Sequence, residues 1–341
     1  MITKFTPARP LPALGACALA LMLLAGCHND SKTADGAQTP STSPGGGAGQ
    51  TQLAFVANNA SDYWKICQGG TKAAQKELGS GVSVQFITPA DGSAATQKSD
   101  VDDLLSKGVK GIAISPVDPA NETPYLNTVA AKASLITSDS DAPTSNRLCY
   151  IGTDNHAAGL MAGNLLKEAL PQGGKVMIYV GKSDAQNAAD RISGVRDAVK
   201  GSKIQILDVR TDDTDRARAK QNALDTLTNT PDIAGMVGIW SYNGGQIANA
   251  IRQSGKVGKV KVIAFDQEAD TMAGVKDGTI YGAVVQDPYA FGYRSIKLLA
   301  ALAKGDKSGI PANKVILVPT QAVKGDKIDA YLAGLKKEMG S

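Results

Sequence analysis

The feature that most constrains the fold is an alternation of short β-rich runs with helical patterns, which begins near residue 51 and continues through most of the chain. Alternation at about 25–30-residue spacing predicts parallel sheets covered by helices on both faces. About ten strands exceed one comfortable sheet, so we predict an α/β protein with two doubly wound parallel-sheet lobes. The strand candidates are Leu53–Val56, Val82–Ile87, Gly111–Ile114, Leu135–Thr137, Leu148–Gly152, Lys175–Val180, Ile204–Val209, Met236–Trp240, Val260–Phe265 and Tyr281–Val285. The helix candidates include Tyr63–Leu78, Asp100–Lys107, Ala157–Leu170, Asp190–Val199, Ala217–Leu227 and Gln246–Gln253.

The beginning of the chain has the pattern of an export signal. Lys4 and Arg9 precede an uncharged run from Pro10 to Cys27, which is short for a helix that spans a bilayer. The run ends in Leu-Ala-Gly-Cys, which resembles the bacterial lipoprotein box, where the cysteine becomes the lipidated first residue of the mature chain. We therefore predict a signal peptide over 1–26 and lipidation at Cys27. The alternative is an ordinary signal peptide with a coincidental cysteine.

The stretch that follows is a tether. Residues 28–50 contain no large apolar side chain, so they cannot bury enough surface to fold. We predict that 27–50 is a lipidated cysteine with a disordered tether, and that the acyl chain is the only membrane contact. The protein is then exported, and lies in the periplasm or on the outer side of the cell membrane.

The cysteine and histidine contents restrict metal and redox chemistry. The chain has two histidines, His28 and His156, and no Cys-x-x-Cys motif, so we expect no metal site. Two cysteines fall in or at the end of the leader, which leaves Cys67 and Cys149. These two either form one disulfide or remain buried as free thiols, and the sequence leaves both alternatives open.

No motif supports catalysis or nucleic-acid binding. The Gly-Lys-Ser run at 181–183 lacks the first glycine of a phosphate-binding loop, because Val176 stands at that position. The acidic pair Asp212 and Asp213 is interpreted as a solvated loop and helix cap, and His156 as a surface residue of a first helical turn. The net charge of +4 is too small and dispersed for a nucleic-acid footprint. We expect no enzyme, no catalytic residue and no cofactor.

Polar side chains follow the predicted strands where the strands end. In open parallel sheets, ligands bind beyond these carboxyl ends. Helix capping alone explains Asp, Asn and Ser at such positions. It does not explain the aromatic residues that also follow the strand ends, and these include both tryptophans of the chain: Tyr63, Trp64, Trp240 and Tyr242. We therefore predict a polar cleft with flat apolar walls.

The order of these segments carries a family resemblance. The segments are Asn58-Asn59 followed by Tyr63-Trp64, Ile136-Thr137-Ser138-Asp139, Ile151-Gly152-Thr153-Asp154-Asn155, Asp213-Thr214-Asp215-Arg216, Ala264-Phe265-Asp266 and Val285-Gln286-Asp287-Pro288. Together they resemble the type I periplasmic sugar-binding proteins, the ribose-binding-like group that serves ABC importers. The resemblance spans about residues 52–333.

The resemblance implies two similar lobes joined by three crossing strands that act as hinges. The crossings fall near 153–154, 286–287 and 319–321. The N-terminal lobe is then 51–153 plus 287–319, and the C-terminal lobe is 154–286 plus 320–341.

The resemblance also implies ligand contacts from both lobes. The matching positions are Asn59, Tyr63, Trp64 and Asp139 in the first lobe, Thr214 and Asp266 in the second, and Gln286 at a hinge. Trp240 and Asn243 are further candidates from a loop of shifted length, and Asp141 adds a carboxylate. Such residue types suit a sugar, because aromatic faces cover its C–H surface while carboxylates and amides bond its hydroxyls.

Two positions depart from the ribose-type pattern. Ser140 and Ala189 stand where that pattern has arginines, although Arg191 follows two residues later. The loss of two cations, with Asp139 retained and Asp141 added, predicts a more acidic cleft. A neutral polyol, a larger sugar or an amine-bearing ligand such as an amino sugar then fits better than ribose.

The sequence therefore predicts a lipid-anchored substrate-binding protein, a monomer, that captures a sugar or polyol between closing lobes for an ABC permease. The alternative is a sensor that presents the same liganded form to a chemoreceptor or sensor kinase, which would use an identical pocket.

Overall fold

The computed structural model describes residues 49–339. The predicted signal peptide, the lipidation site Cys27 and nearly all of the tether lie outside the described residues. The strands are β1 Thr51–Val56, β2 Val82–Ile87, β3 Gly111–Ile114, β4 Ser134–Ser138, β5 Cys149–Gly152, β6 Gly174–Val180, β7 Ile204–Thr211, β8 Ile233–Gly238, β9 Lys261–Phe265, β10 Gly282–Val285, β11 Val315–Leu317 and β12 Gln321–Lys324. The helices are α1 Asp62–Leu78, α2 Ala94–Ser106, α3 Pro119–Ala130, α4 Asn155–Ala169, α5 Gln186–Val199, α6 Arg216–Asn229, α7 Ser241–Gln253, α8 Ala269–Lys276, α9 Pro288–Ala303 and α10 Ile328–Met339.

The strands form two separate six-stranded sheets. The first has the order β2-β1-β3-β4-β5-β11, and its strands are parallel. The second has the order β7-β6-β8-β9-β10-β12 and is parallel except for β12, which runs antiparallel to β10 at the edge. Two α/β lobes with predominantly parallel sheets confirm the predicted fold class. The matching strand orders also make β4 and β9 counterparts.

Each sheet is buried on both faces, which explains why its strands read as continuous apolar runs. In β1, Leu53 and Phe55 enter one apolar cluster while Ala54 and Val56 enter the cluster on the opposite face. In β9, the buried Phe265 belongs to one of the two clusters that cover the second sheet. Helices must therefore cover both faces, as the alternating pattern predicts.

The chain crosses between the sheets three times. It leaves β5 at Thr153 and continues into α4, which packs against α5, β9 and β10. It leaves β10 at Gln286 and continues into α9, which packs against α1 and the first sheet. The third crossing joins β11 to β12 through residues 318–320. The terminal helix α10 contacts α1 in the first lobe as well as α8 and β12 in the second.

Cys67 of α1 and Cys149 of β5 are both buried free thiols, so the structure favours the second of the two alternatives that the sequence left open. Both side chains belong to one apolar cluster. Within residues 49–339, no helix is both long enough and apolar enough to cross a membrane.

Candidate functional site

Two buried aspartates occupy equivalent positions in the two lobes. Asp139 directly follows β4 and Asp266 directly follows β9, and their side chains belong to residues that are only 8% and 4% exposed. Both residues have left-handed backbone conformations, with φ angles of 66° and 64°. Aspartate is one of the few residues other than glycine that tolerates this region. The sharp turn places each carboxylate at the carboxyl edge of its sheet.

The carboxylate of Asp139 is held by neutral donors. The Tyr63 hydroxyl donates to Oδ1 at 2.9 Å, and the Ser115 hydroxyl donates to Oδ2 at 3.0 Å. The Tyr150 hydroxyl donates to the backbone carbonyl of Asp139 at 2.9 Å, which supports the unusual backbone conformation. Ser115 and Tyr150 were not among the predicted residues. Ser115 follows the buried strand β3, so the rule of polar strand ends could have found it.

An aromatic wall stands beside this carboxylate. Trp64 is 2% exposed, and its ring lies edge-on to Tyr63 with a centroid distance of 5.1 Å. The indole Nε1 donates to Asn58 Oδ1 at 3.0 Å, and the amide of Asn58 donates to Ser115 at 3.1 Å. Asn59 is exposed and donates to the same Asn58 oxygen at 2.7 Å. The Trp64 ring is therefore held by packing and by a hydrogen bond, while Asn59 lies at the exposed margin of the cluster.

The buried Gln97 of α2 fixes the loops that carry this wall. Its amide donates to the carbonyl oxygens of Ala57 and Ser115, both at 2.8 Å, and its oxygen accepts from the backbone N–H of Val117 at 3.2 Å. These bonds tie together the ends of β1 and β3, where the strand order reverses and ligands bind in such sheets.

The carboxylate of Asp266 is held by a cation and an amide. Arg191 Nη1 lies 3.7 Å from Oδ2, and Gln286 Nε2 donates to Oδ1 at 2.8 Å. Arg191 is 2% exposed and is fixed by a bond from Nε to Asn155 Oδ1 and one from Nη1 to the carbonyl of Ile239, both 3.0 Å long. A buried cation of this kind is stable only when it is paired and fully hydrogen-bonded.

Close packing of α4 against α5 sets the position of Arg191. A Cβ atom on Gly159 would lie 2.2 Å from the carbonyl oxygen of Arg191, and one on Gly194 would lie 2.2 Å from that of His156. Only glycine permits this approach. Arg191 was noted in the sequence but not assigned to the site, because its contact with Asp266 depends on this helix packing.

Burial dominates the electrostatics of the cluster and raises both aspartate pKa values. The pKa of Asp266 rises to about 6, since the opposing effects of Arg191 and the Gln286 hydrogen bond only partly offset desolvation. Burial also raises the pKa of Asp139, against the charge of Arg191 and the bonds from Tyr63 and Ser115. The Tyr63 pKa is raised by burial and further by the charges of both aspartates. Groups from the two lobes therefore share one electrostatic environment.

The loop before α7 forms a second aromatic feature. Trp240 is partly exposed and its indole donates to Asn187 at 3.3 Å. Asn243 is fully buried: its oxygen accepts from the Trp240 backbone N–H and its amide donates to Asp212, each at 3.0 Å. Tyr242 also donates to Asp212. The oxygen of Asn243 therefore helps to position Trp240, and its amide N–H is bonded to Asp212.

The structure does not bring Asp141 and Thr214 into the cluster. Arg147 binds both carboxylate oxygens of Asp141 at 2.5 and 2.6 Å, and the Thr137 hydroxyl donates to the same carboxylate. Thr214 is exposed, and its hydroxyl donates to the carbonyl of Asp213. The charge of Asp141 is thus neutralised by a local arginine, which corrects the expectation that it makes the cleft more acidic.

No group of three or more potential metal ligands occurs in the part of the chain that the structure describes. A family model described as "Periplasmic binding protein domain" matches residues 53–307. The chain belongs to the periplasmic binding protein family.

Relatives and solved structures agree with this assignment. A D-allose-binding periplasmic protein of Escherichia coli is 27% identical over 262 residues, which cover 74% of this chain and 84% of the relative. A ribose import binding protein of Salmonella typhimurium is 27% identical over 226 residues, which cover 65% of this chain and 75% of the relative. The crystal structure of an ABC transporter solute-binding protein of Burkholderia graminis with D-arabinose superposes with a TM-score of 0.78 at 30% identity, covering 84% of this chain and 99% of that one.

The relatives of this periplasmic binding protein are sugar-binding transport proteins. The prediction that the chain is not an enzyme is therefore confirmed by its family. The predicted resemblance to the ribose-binding-like group is confirmed as homology to ribose-, allose- and arabinose-binding proteins.

Proposed function

We propose that this periplasmic binding protein captures a neutral monosaccharide between its two lobes and delivers it to an ABC permease. The observation that carries the proposal is that Asp139 and Tyr63 of one lobe lie close enough to Asp266 and Arg191 of the other for the charges of the second pair to shift the pKa values of the first. A ligand can favour closure only through contacts that differ between the open and closed forms. Residues divided between two lobes provide such contacts.

The residue types suit the hydroxyls and C–H faces of a sugar. Two buried carboxylates can accept charge-assisted hydrogen bonds from neighbouring hydroxyls, and the Gln286 amide can both donate and accept. Trp64 and Trp240 supply flat faces for the C–H surface. The proposed ligand contacts are Tyr63, Trp64, Asp139, Trp240, Asp266 and Gln286, with Asn59 at the margin.

Charge matching favours a neutral sugar over an amine-bearing ligand. Arg147 neutralises Asp141, and Arg191 lies beside Asp266, so less negative charge is unmatched than the sequence predicted. The raised pKa of Asp266 also shows that this carboxylate gains less from its cationic neighbour than it loses by burial. Relatives that bind ribose, allose and arabinose support an aldose as the ligand.

Isothermal titration of the mature domain against a panel of sugars tests this proposal. The panel contains ribose, allose, arabinose, galactose, glucosamine and a neutral amino acid. We expect saturable binding of at least one neutral aldose, and none in Asp266→Ala. Binding of glucosamine or the amino acid alone would show that the ligand class is wrong.

Lipid anchoring and delivery form the second part of the proposal. The Leu-Ala-Gly-Cys tetrad at Cys27 and the polar stretch that follows support a lipidated, tethered protein on the outer side of a membrane. We expect a deletion strain to lose uptake of the radiolabelled ligand, and the wild type to restore it. Cys27→Ala should yield a protein without acyl modification by mass spectrometry. Undiminished uptake in the deletion strain would exclude delivery to a permease.

A further inference from the structure

Two of the three crossings between the lobes are joined by a buried hydrogen bond. The hydroxyl of Thr153, in the first crossing, donates to Gln286 Oε1, in the second, at 2.8 Å. Thr153 is 3% exposed and Gln286 is 5% exposed, so water cannot readily replace either partner. The bond links residues that are 133 positions apart in the chain.

The chemistry of Asp266 determines how the Gln286 amide is oriented. An ionised carboxylate only accepts hydrogen bonds, so the amide must present Nε2 to Asp266, as it does at 2.8 Å. Its carbonyl oxygen then faces Thr153, whose hydroxyl supplies the donor that this oxygen requires. Without that hydroxyl, a buried carbonyl oxygen would lose its partner and the side chain would be free to turn from Asp266.

The connection continues into the first lobe. The Tyr150 hydroxyl lies 2.9 Å from the carbonyl of Asp139 and 3.3 Å from that of Thr153. Polar contacts therefore run from the backbone of Asp139, through Tyr150, Thr153 and Gln286, to the carboxylate of Asp266. The carboxylate of Asp266 is therefore connected by hydrogen bonds to both of the first two crossings.

We propose that Thr153 is a positioning residue of the sugar site, which holds the Gln286 amide against Asp266. This inference rests on the proposed function for its effect on affinity. Its structural consequence, the state of Asp266, can be measured without any ligand.

Several charged or titratable groups face Asp266, and they also influence its pKa, which is the quantity to be measured. Arg191 from α5 lowers its pKa, while Asp139 after β4 and Glu268 before α8 raise it. Burial raises the pKa of Tyr63 in α1 and of Tyr331 in α10, and the charge of Asp266 raises both further. None of these groups contacts the Thr153 hydroxyl in the hydrogen bonds of residues 49–339, so a Thr153 variant changes Asp266 through Gln286.

The experiment compares Thr153→Val and Thr153→Ala, which remove the hydroxyl, with Thr153→Ser, which retains it. Thr226→Val is the matched control, because Thr226 is also buried, lies in α6 outside the cluster, and donates its hydroxyl to the carbonyl of Asn222 at 2.9 Å. The titration of the Asp266 carboxyl is followed by carbon NMR in the free protein, and sugar affinity by calorimetry.

We expect the Asp266 midpoint to rise above its value of about 6 in Thr153→Val and Thr153→Ala, because the Gln286 hydrogen bond lowers this pKa. Thr153→Ser and Thr226→Val should titrate as the wild type does. Sugar affinity should fall about 5- to 30-fold in the first two variants and change less than about threefold in the other two.

The outcomes separate the two proposals. An Asp266 midpoint that coincides in wild type, Thr153→Val and Thr153→Ala overturns the positioning role, whether or not a sugar binds. Failure of the wild type to bind any sugar overturns the proposed function alone. A loss of affinity that Thr153→Ser does not recover would assign the effect to the backbone of the crossing, and would also contradict the inference.

Discussion

The two lobes place a buried aspartate at the same point of their sheets and surround it with different partners. Asp139 after β4 is bonded by the hydroxyls of Tyr63 and Ser115, whereas Asp266 after β9 lies beside Arg191 and accepts from Gln286. Their φ angles differ by only 2°, from 66° and 64°. The two aspartates thus share a backbone conformation, but the groups that bind their carboxylates differ in charge.

This difference assigns distinct properties to the two halves of the site. In the first lobe, the carboxylate is held by neutral groups that need only hydrogen-bond partners, which water or a sugar hydroxyl can replace. In the second lobe, the carboxylate lies beside a buried cation and accepts from a buried amide, so its truncation to alanine removes the carboxylate that pairs with Arg191 and the acceptor of Gln286. We therefore infer that the second-lobe carboxylate contributes to folding as well as to binding.

The largest expected effect is the contrast between Asp266→Ala and Asp139→Ala. Loss of Asp266 leaves Arg191 buried and unpaired, so we expect the free energy of unfolding to fall by about 3 kcal/mol and sugar binding to become undetectable. Loss of Asp139 leaves the hydroxyls of Tyr63 and Ser115 without their acceptor, and should lower the free energy of unfolding by about 1 kcal/mol. Urea denaturation without ligand measures both.

Asp141→Ala is the control for this contrast. Asp141 is also paired with a buried arginine, Arg147, but lies outside the cluster. It should therefore lose stability as Asp266→Ala does while the affinity for sugar stays within about twofold of the wild type. If Asp266→Ala and Asp139→Ala lose equal free energies of unfolding, burial of the Arg191 charge does not depend on Asp266.

The second contrast concerns the two tryptophans. Trp64 is 2% exposed and packs against Phe55 and Tyr63, so Trp64→Ala should cost about 3–5 kcal/mol of stability. Trp240 is partly exposed, and its substitution by alanine should cost about half as much. Both variants should weaken sugar binding about tenfold, by loss of a stacking face.

Thermal unfolding measures the effect of each tryptophan on stability, and calorimetry measures its effect on sugar affinity. Trp64→Phe and Trp240→Phe keep an aromatic face, so they should recover most of the affinity. If both alanine variants bind sugar as the wild type does, the proposed walls do not line the site.

The sequence predicted the parts of the fold that have strong local patterns. Alternating apolar strands and amphipathic helices located the first ten strands, because buried parallel strands are continuous apolar runs. It did not locate β11 and β12, whose residues are mostly half-buried or exposed edge positions. Helices α3, α8, α9 and α10 were not among the named helix candidates either, and α3 contains Pro124 and begins with Pro119. Edge strands and proline-containing helices gain their stability from tertiary packing, which leaves a weak local signal.

The candidate site was predictable where function coincides with strand ends. Tyr63, Asp139 and Asp266 lie at such ends and converge in the structure. Arg191 and Gln97 lie on helices, and they reach the site only because of how those helices pack. The pairing of Asp141 was not predictable, because a sequence shows a carboxylate but does not show Arg147 binding both of its oxygens.

The third contrast is in pH dependence. The pKa of Asp266 is about 6, above its ordinary value, because of burial. Below about pH 6 this carboxyl is protonated and accepts sugar hydroxyls less well, so affinity should fall up to about tenfold for each further pH unit. Calorimetry between pH 7.5 and 5 measures this, and a constant affinity over that range would exclude ionised Asp266 as an acceptor.

The stability of the free protein should depend on pH in the opposite sense. A raised pKa means that the folded protein binds the proton more tightly than the unfolded chain does. The contribution of Asp266 to stability should therefore increase as the pH falls from about 6 toward about 4, by up to about 3 kcal/mol. Asp266→Asn removes this titration, so the free energy of unfolding of the wild type minus that of Asp266→Asn should increase as the pH falls through this interval and stay constant above it.

The smallest contrast compares two tyrosines that each donate to a buried carboxylate. Tyr63 donates to Asp139 within the cluster, and Tyr242 donates to Asp212, which also accepts from Asn243 and from the backbone of Thr214. Tyr63→Phe and Tyr242→Phe should each lower the free energy of unfolding by about 1 kcal/mol. Only Tyr63→Phe should also weaken sugar binding, about 3- to 10-fold, because it frees a carboxylate that faces the other lobe. If Tyr242→Phe weakens binding equally, the ligand extends to the loop before α7 and Asp212 belongs to the site.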